Sequence, residues 1–297
     1  MVSMLWIIFA VLAAFLFAVT NIIDKFLMSK WIDKPIIPML ILGLITVPAV
    51  LFIYFFHSFM QLSFFNLFLA LLSGAFFGFS NLLYFKVIKM QDISVVIPLF
   101  YFEPLVVMVI AFLFLGEAFT LFTYLGIFLL VSGAVLVSMN SRIKFYSGKF
   151  LVLLFVSIVF YSVEAVMVKY LLEFADFWTI FSFGRIGMVL VLIPFYFIYS
   201  SDFKNLFEKQ NRKILAVVSL SELLGMAGYF SFTVALSFGF VSLVSALVAV
   251  QPFFVLFFVI LLNFFWPSVL RENTDMKTIA LKFIAIFLMF CGAVLII

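Results

Sequence analysis

Charge is scarce in this sequence: 17 Lys and Arg and 13 Asp and Glu stand among 297 residues that are 68% apolar. A water-soluble globule is about half apolar and a quarter charged, so a soluble chain is excluded and an integral membrane protein remains. Cysteine and histidine are nearly missing. Cys291, the single cysteine, allows no intramolecular disulfide and no cysteine-built metal cage, and His57, the single histidine, allows no multi-histidine zinc or copper site. No metal and no cofactor are expected. The P-loop pattern GxxxxGK[ST] does not occur, so ATP drive would have to come from a partner. Intramembrane proteolysis or acyl transfer usually uses His, Cys or paired Asp inside the spans, whereas His57 is in a loop, Cys291 is embedded in the last span and Asp24 is terminal, so an enzyme is not expected. Strict polar alternation is also absent, which excludes a β-barrel. A channel is disfavoured because no repeated ring of polar or carbonyl-presenting residues is visible. The formal charge of +4 and pI near 9.1 do not point to nucleic acid, because the basic residues lie between apolar segments.

What is present is a series of apolar runs. They cover about 4–24, 36–56, 65–86, 93–115, 119–139, 150–172, 177–199, 214–236, 240–263 and 278–297. A bilayer core about 30 Å thick needs about 20 residues of helix, and lipid requires each span to satisfy its own backbone hydrogen bonds. The expected fold class is therefore an all-α integral membrane protein of ten transmembrane helices. The first run lacks a basic n-region and reads as a retained span, not a cleaved signal. Of the 17 basic residues, all but Lys169 and Arg185 fall in or beside the odd-numbered connections. That bias predicts cytoplasmic odd-numbered loops and external termini.

The two halves resemble each other. ISVVIPLFYFEP (93–104) aligns with VSLVSALVAVQP (241–252), so that Ser94 meets Ser242, Pro104 meets Pro252 and Glu103 faces Gln251. The last run of each half carries GAVL, at 133–136 and 292–295, and Lys25-Phe-Leu-Met corresponds to Lys169-Tyr-Leu-Leu. Each half holds five runs, an odd number, so the second enters from the opposite face. Two inverted five-helix repeats, 1–140 and 149–297, are expected, with a ligand held near the midplane between them.

SVVIPLFYFEPLVVMVIAFLFLGEAFTLFTYLGIFLLVSGAVL (94–136) carries a Ser-containing span start, Pro104, the pair Gly116-Glu117 and the glycines Gly126 and Gly133. In that order these residues resemble the drug/metabolite transporter superfamily, in its ten-span EamA-like branch. The resemblance covers essentially the whole chain. It implies export or exchange of a small polar metabolite across the plasma membrane by alternating access, through a cavity lined mainly by the first, third and fourth spans of each half, with the fifth spans peripheral. A non-transporting scaffold or a lipid-carrier flippase is the alternative. The chain departs from the family in two ways: NFFWPSVLRENTD (263–275) stands where a second Gly-Glu is expected, and many family members have cytosolic termini, against the charge count.

An ionisable group inside the bilayer costs about 2.5 to 3.5 kcal/mol and asks for a partner or a role. Glu103, Glu164, Arg185 and Glu222 qualify. Glu164 and Arg185 would each lie about 12 Å from the same face and could form an ion pair. Glu103, about 15 Å into its span, is the first candidate for exchanging a proton against a cationic or zwitterionic substrate. Stabilising a kink beside Pro104 is its structural alternative. Glu222 is a second pathway candidate. Gln251 takes the place of Glu103 in the other half. Asn21 and Asp24 at the end of the first span, and Tyr84 with Lys86 at the end of the third, suit a pore mouth or an interfacial anchor. Pro98, Pro104, Pro194 and Pro252 remove backbone donors and form either hinges or static bends. Glu117 is expected to cap the helix that follows it. Gly74 and Gly78 form a GxxxG pair for close contact, within the chain or in a homodimer. The expected partners are lipid, a small-molecule substrate and protons, without nucleic acid.

Overall fold

The computed structural model describes residues 4–32, 34, 36–90, 93–138, 148–208, 212–265 and 276–297. Among them every regular element is a helix. These are α1 (Leu5–Lys30), α2 (Ile36–Phe56), α3 (Phe64–Met90), α4 (Ile93–Phe100), α5 (Glu103–Leu115), α6 (Leu121–Ser138), α7 (Gly148–Leu171), α8 (Phe177–Ile198), α9 (Ser200–Leu206), α10 (Arg212–Phe238), α11 (Val241–Val248), α12 (Gln251–Phe265) and α13 (Met276–Ile296). Eight apolar segments are long enough to cross a bilayer, and Leu121–Val137 and Leu281–Ile296 are shorter apolar helices. The loop residues Arg142, Lys144, Lys209 and Arg271, most of the connection between the two expected halves, and residues 266–275 lie outside the described residues, as do the side chains of Lys25, Lys30, Lys89 and Ser94.

Two of the expected spans are broken, and backbone chemistry gives the reason. Pro104 has no N–H to donate to the Phe100 carbonyl, and Pro252 none for Val248. The chain leaves helical form at those places: α4 ends at Phe100 and α11 at Val248, and α5 and α12 restart at Glu103 and Gln251, each with its proline in second position. Pro104 and Pro252 thus open helices, where a missing donor costs little, while Pro98 lies inside α4 and Pro194 inside α8. α1 and α3 run past the expected ends, because Asn21, Asp24, Tyr84 and Lys86 lie within continuous helix and do not mark its end. The short α9 was not expected. Its Asp202 pairs with Lys34 at 2.7 Å and fastens the segment after α8 to the segment before α2.

Packing follows the small residues. α1 and α10 lie antiparallel: Gly225 faces Thr20, Gly228 faces Phe17, and Gly239 faces Trp6. α6 and α13 also cross antiparallel and close. A Cβ on Gly292 would meet the Gly126 carbonyl and the Leu130 amide, and one on Gly133 would meet Ala285 and Met289. On α13, Ala285, Met289 and Ile296 are buried on this side, while Phe283, Phe287 and Phe290 are exposed on the other, an apolar surface that suits lipid. α3 rests on both α7 and α8. Ser80 and Ser157 each donate to the other's carbonyl, at 2.8 and 2.7 Å, and Gly74, Gly78 and Gly187 bring α3 against α8. The GxxxG pair therefore packs within the chain. A methyl added to Gly187 would overlap the Leu71 carbonyl; this is backbone and cannot rotate away. Gly187→Ala is expected to cost about 3 kcal/mol by forcing the helices apart, read as a lower unfolding temperature and a smaller monodisperse fraction in detergent.

Where α5 meets α6, Gly116 adopts φ 68° and closes α5, a conformation that glycine tolerates without strain. At the same end of the bundle, Asp176 caps α8 by accepting from the Thr179 amide at 3.0 Å and lies 3.4 Å from His57. Burial by itself would raise the Asp176 pKa, but the Thr179 amide, the Thr179 hydroxyl and His57 outweigh it and hold the carboxyl below the usual carboxylate range. A lowered folded-state pKa contributes stability above the unfolded value, near 3.9, and that contribution is lost as pH falls through the folded value. Asp176→Ala is expected to cost about 1 kcal/mol at neutral pH. The deficit should shrink towards about pH 3, which thermal unfolding at the two pH values would show.

Candidate functional site

Polar residues of several helices line one cavity of about 300 Å³. α1 contributes Phe17, Thr20, Asn21, Asp24 and Met28, and α3 contributes Phe77, Ser80, Asn81, Tyr84 and Phe85. α10 adds Ser221, Glu222, Gly225, Met226 and Tyr229. Each set recurs at three- and four-residue spacing, one stripe along one helix face. The two helix breaks place Glu103 and Gln251 on the wall, each the first residue of its helix. There the positive end of the helix dipole favours a carboxylate or an amide oxygen. Tyr161 of α7, Arg185 of α8, Met39 and Leu42 of α2 and Ser245 of α11 also line it.

Of the residues expected in the pathway, Glu103, Glu222, Asn21, Tyr84 and Gln251 line this cavity, and Asp24 does too. Asp24 accepts from the Ser221 hydroxyl at 2.7 Å and so bridges α1 and α10. Pro104 also reaches the wall. Glu164 lies behind the lining, fully buried, and accepts from the Tyr229 hydroxyl. The expected Glu164–Arg185 ion pair is not formed. Tyr229 takes both partners instead. Its hydroxyl goes to Glu164, and its ring lies under the Arg185 guanidinium at 3.6 Å, with Phe77 at 4.3 Å and Phe181 at 5.4 Å. Three ring faces replace the missing carboxylate through cation–π attraction. Arg185 adds α8 to a wall expected mainly from the first, third and fourth spans of each half.

The cavity extends toward the end where α1 finishes and α2 and α10 begin. The opposite end is closed by buried contacts. Glu117 does not cap α6, the helix after it. It accepts from the Val241 and Ser242 amides at 2.8 and 3.1 Å and from the Ser242 hydroxyl at 2.6 Å, so it caps α11. Lys169 donates to the Leu236 carbonyl at 2.8 Å in the last turn of α10. The turn at 239–240 is thereby held from both sides, a carboxylate on the helix beginning and an ammonium on the helix ending, each matching the local dipole. Within the cavity, by contrast, Glu103 Oε1 and Ser245 Oγ are buried without a hydrogen-bond partner.

Tyr229, Tyr161, Asn81, Ser221 and Ser245 were not singled out from the sequence. The seven-residue step from Glu222 to Tyr229, two helical turns on one face, is the signal that reaches Tyr229.

Residues 4–139 match the sequence model of the EamA-like transporter family. No curated protein matches the chain. Among solved structures, one described as a crystal structure of a protein shares 15% identity with a TM-score of 0.72, over 98% of this chain and 95% of that one, which is a likeness of fold. By the family match, the first half of this multi-pass membrane protein, residues 4–139, carries the EamA-like transporter pattern, consistent with the drug/metabolite transporter superfamily and with a transporter of that type.

Proposed function

We propose that the chain is a secondary active transporter that exports or exchanges a small polar metabolite across the plasma membrane by alternating access, coupled to protons through Glu103. Ten spans form two inverted repeats, 1–140 and 149–297, with α4 and α5 acting as one span and α11 and α12 as another. The observation that carries this reading is the pattern of packing. Exchanging α1 with α7, α2 with α8, α3 with α10, α5 with α12 and α6 with α13 turns the pairs α1–α10, α2–α10 and α1–α12 into α7–α3, α8–α3 and α7–α5, all of which pack together. The fifth spans obey the same exchange in detail. Gly126 and Ala285 stand equally far before the two GAVL motifs, Gly133 meets Ala285, and Gly292 meets Gly126.

Broken helices with their polar first residues on a shared cavity are the arrangement in which inverted-repeat transporters hold cargo. Glu103, Glu222, Asn21, Tyr84 and Gln251 are the cargo and proton pathway in this reading. Glu164 sets the position of Tyr229, and the breaks before Pro104 and Pro252 are the hinges, with Pro98 as a flexible point in α4. With odd-numbered loops in the cytoplasm, the cavity faces inward. Purified protein in liposomes under an imposed pH gradient, tested against labelled amines, amino acids and sugars, is expected to move at least one class faster than protein-free liposomes. No protein-dependent flux of any class from correctly folded protein would overturn the reading.

A further inference from the structure

The proposed transport reading leaves the charge of the cargo open, and the inference here rests on that reading. Arg185 is 2% exposed yet lies on the cavity wall. A guanidinium carries five N–H donors in its plane. The rings of Tyr229, Phe77 and Phe181 offset its charge but are at most weak acceptors for those hydrogens. The polar contact it makes is the Met188 sulfur at 3.7 Å, a weak acceptor. Glu164, a carboxylate within its electrostatic range, accepts from the Tyr229 hydroxyl through Oε1, and its Oε2 is buried without a partner and takes none of the guanidinium hydrogens. A cation buried in a membrane protein without a strong acceptor is costly, and this one lies on the cavity wall.

Other walls carry the opposite polarity. Glu103 Oε1 and Ser245 Oγ await a partner, and Asp24 and Glu222 line the same space. We propose that Arg185 is a specificity-determining residue that receives a carboxylate of the cargo, while an ammonium on the cargo faces Glu103 and Ser245. The cargo is then a small zwitterion and not a simple organic cation. A carboxylate matches the planar fork of the guanidinium. A phosphate dianion is disfavoured because three wall carboxylates would repel its second charge.

The test is binding of matched triplets to the detergent-purified protein, read as thermal stabilisation and converted to affinity by titration. Three triplets are used: phenylalanine, 2-phenylethylamine and 3-phenylpropionate; leucine, 3-methylbutylamine and 4-methylpentanoate; alanine, ethylamine and propionate. Phosphoethanolamine is the phosphate arm. In at least one triplet the zwitterion is expected to bind about tenfold or more tightly than the amine and the acid, the scale of one charge-assisted pair. Phosphoethanolamine is expected to bind more weakly than that zwitterion. Arg185→Lys is expected to narrow the zwitterion's advantage and Arg185→Gln to erase it. An amine that binds as tightly as its zwitterion in every triplet, no zwitterion binding at all, or a folded Arg185→Gln that keeps the advantage overturns the inference. If Arg185→Gln does not fold, the wild-type triplets and Arg185→Lys decide. Flux without zwitterion preference would sink this inference alone, and zwitterion binding without flux would sink the transport reading alone.

Discussion

Replacing Glu103 with Gln is expected to abolish proton-driven transport while leaving the fold intact. Gln is nearly isosteric with Glu, and the corresponding place in the second half is already occupied by Gln251 at the start of α12. A helix restart before proline therefore accommodates the amide. What the substitution removes is the ability to bind and release a proton at a buried oxygen that has no protein partner. Positioned proton-transfer groups are worth about 100-fold or more, and a fall of that size is expected in flux driven by a pH gradient, with unchanged helical content and elution from a sizing column. Undiminished flux would leave Glu103 as a support for the break before Pro104 and nothing more.

Glu117→Ala is expected to have the largest effect on stability. The carboxylate is 6% exposed and accepts three hydrogen bonds from the first turn of α11. Hydrogen bonds to a charged group contribute about 1.5 to 3 kcal/mol each, and buried donors left without an acceptor cost about 1 to 3 kcal/mol. Two backbone amides would be stranded, and a loss of about 3 to 5 kcal/mol is expected once relaxation and entering water offset part of it. Glu117→Gln should recover part of the loss, since its oxygen accepts while its amide cannot. Thermal unfolding of the three proteins side by side is the measurement. Equal unfolding temperatures for Ala and Glu would show that the contacts at the 239–240 turn do not hold this end closed.

Much of the fold was legible because lipid permits few solutions. The apolar runs became helices, and α2 coincides with its expected run at both ends. Errors arose where polarity had two readings. Asn21, Asp24, Tyr84 and Lys86 look like span ends if polar residues mean interface, but Asn21, Asp24 and Tyr84 face a cavity and their helices continue past them. Glu103 was legible for the same reason that it is costly: a carboxylate far from either end of an apolar run has few uses. The fate of Arg185 was not. Opposite charges at matching depth suggest an ion pair, whereas the choice between a carboxylate and the face of Tyr229 depends on how three helices meet, which spacing along the chain does not record. Glu117 shows the same limit. Its value as a cap follows from its charge, but the helix it caps comes from the other half and is found only by tertiary contact.

Cysteine accessibility at position 245 tests the alternating chamber most directly. Ser245→Cys, in a Cys291→Ser background reconstituted with one orientation, places a thiol on the cavity wall beside the broken span. A membrane-impermeant thiol reagent is expected to reach it from the side of residues 31–34 at rest. Under an imposed pH gradient with a transported solute present, reactivity from the side of the 239–240 turn should rise, while that from the first side falls. Reactivity confined to one side under every condition, or from neither side, would contradict a chamber exchanged between two oppositely oriented halves.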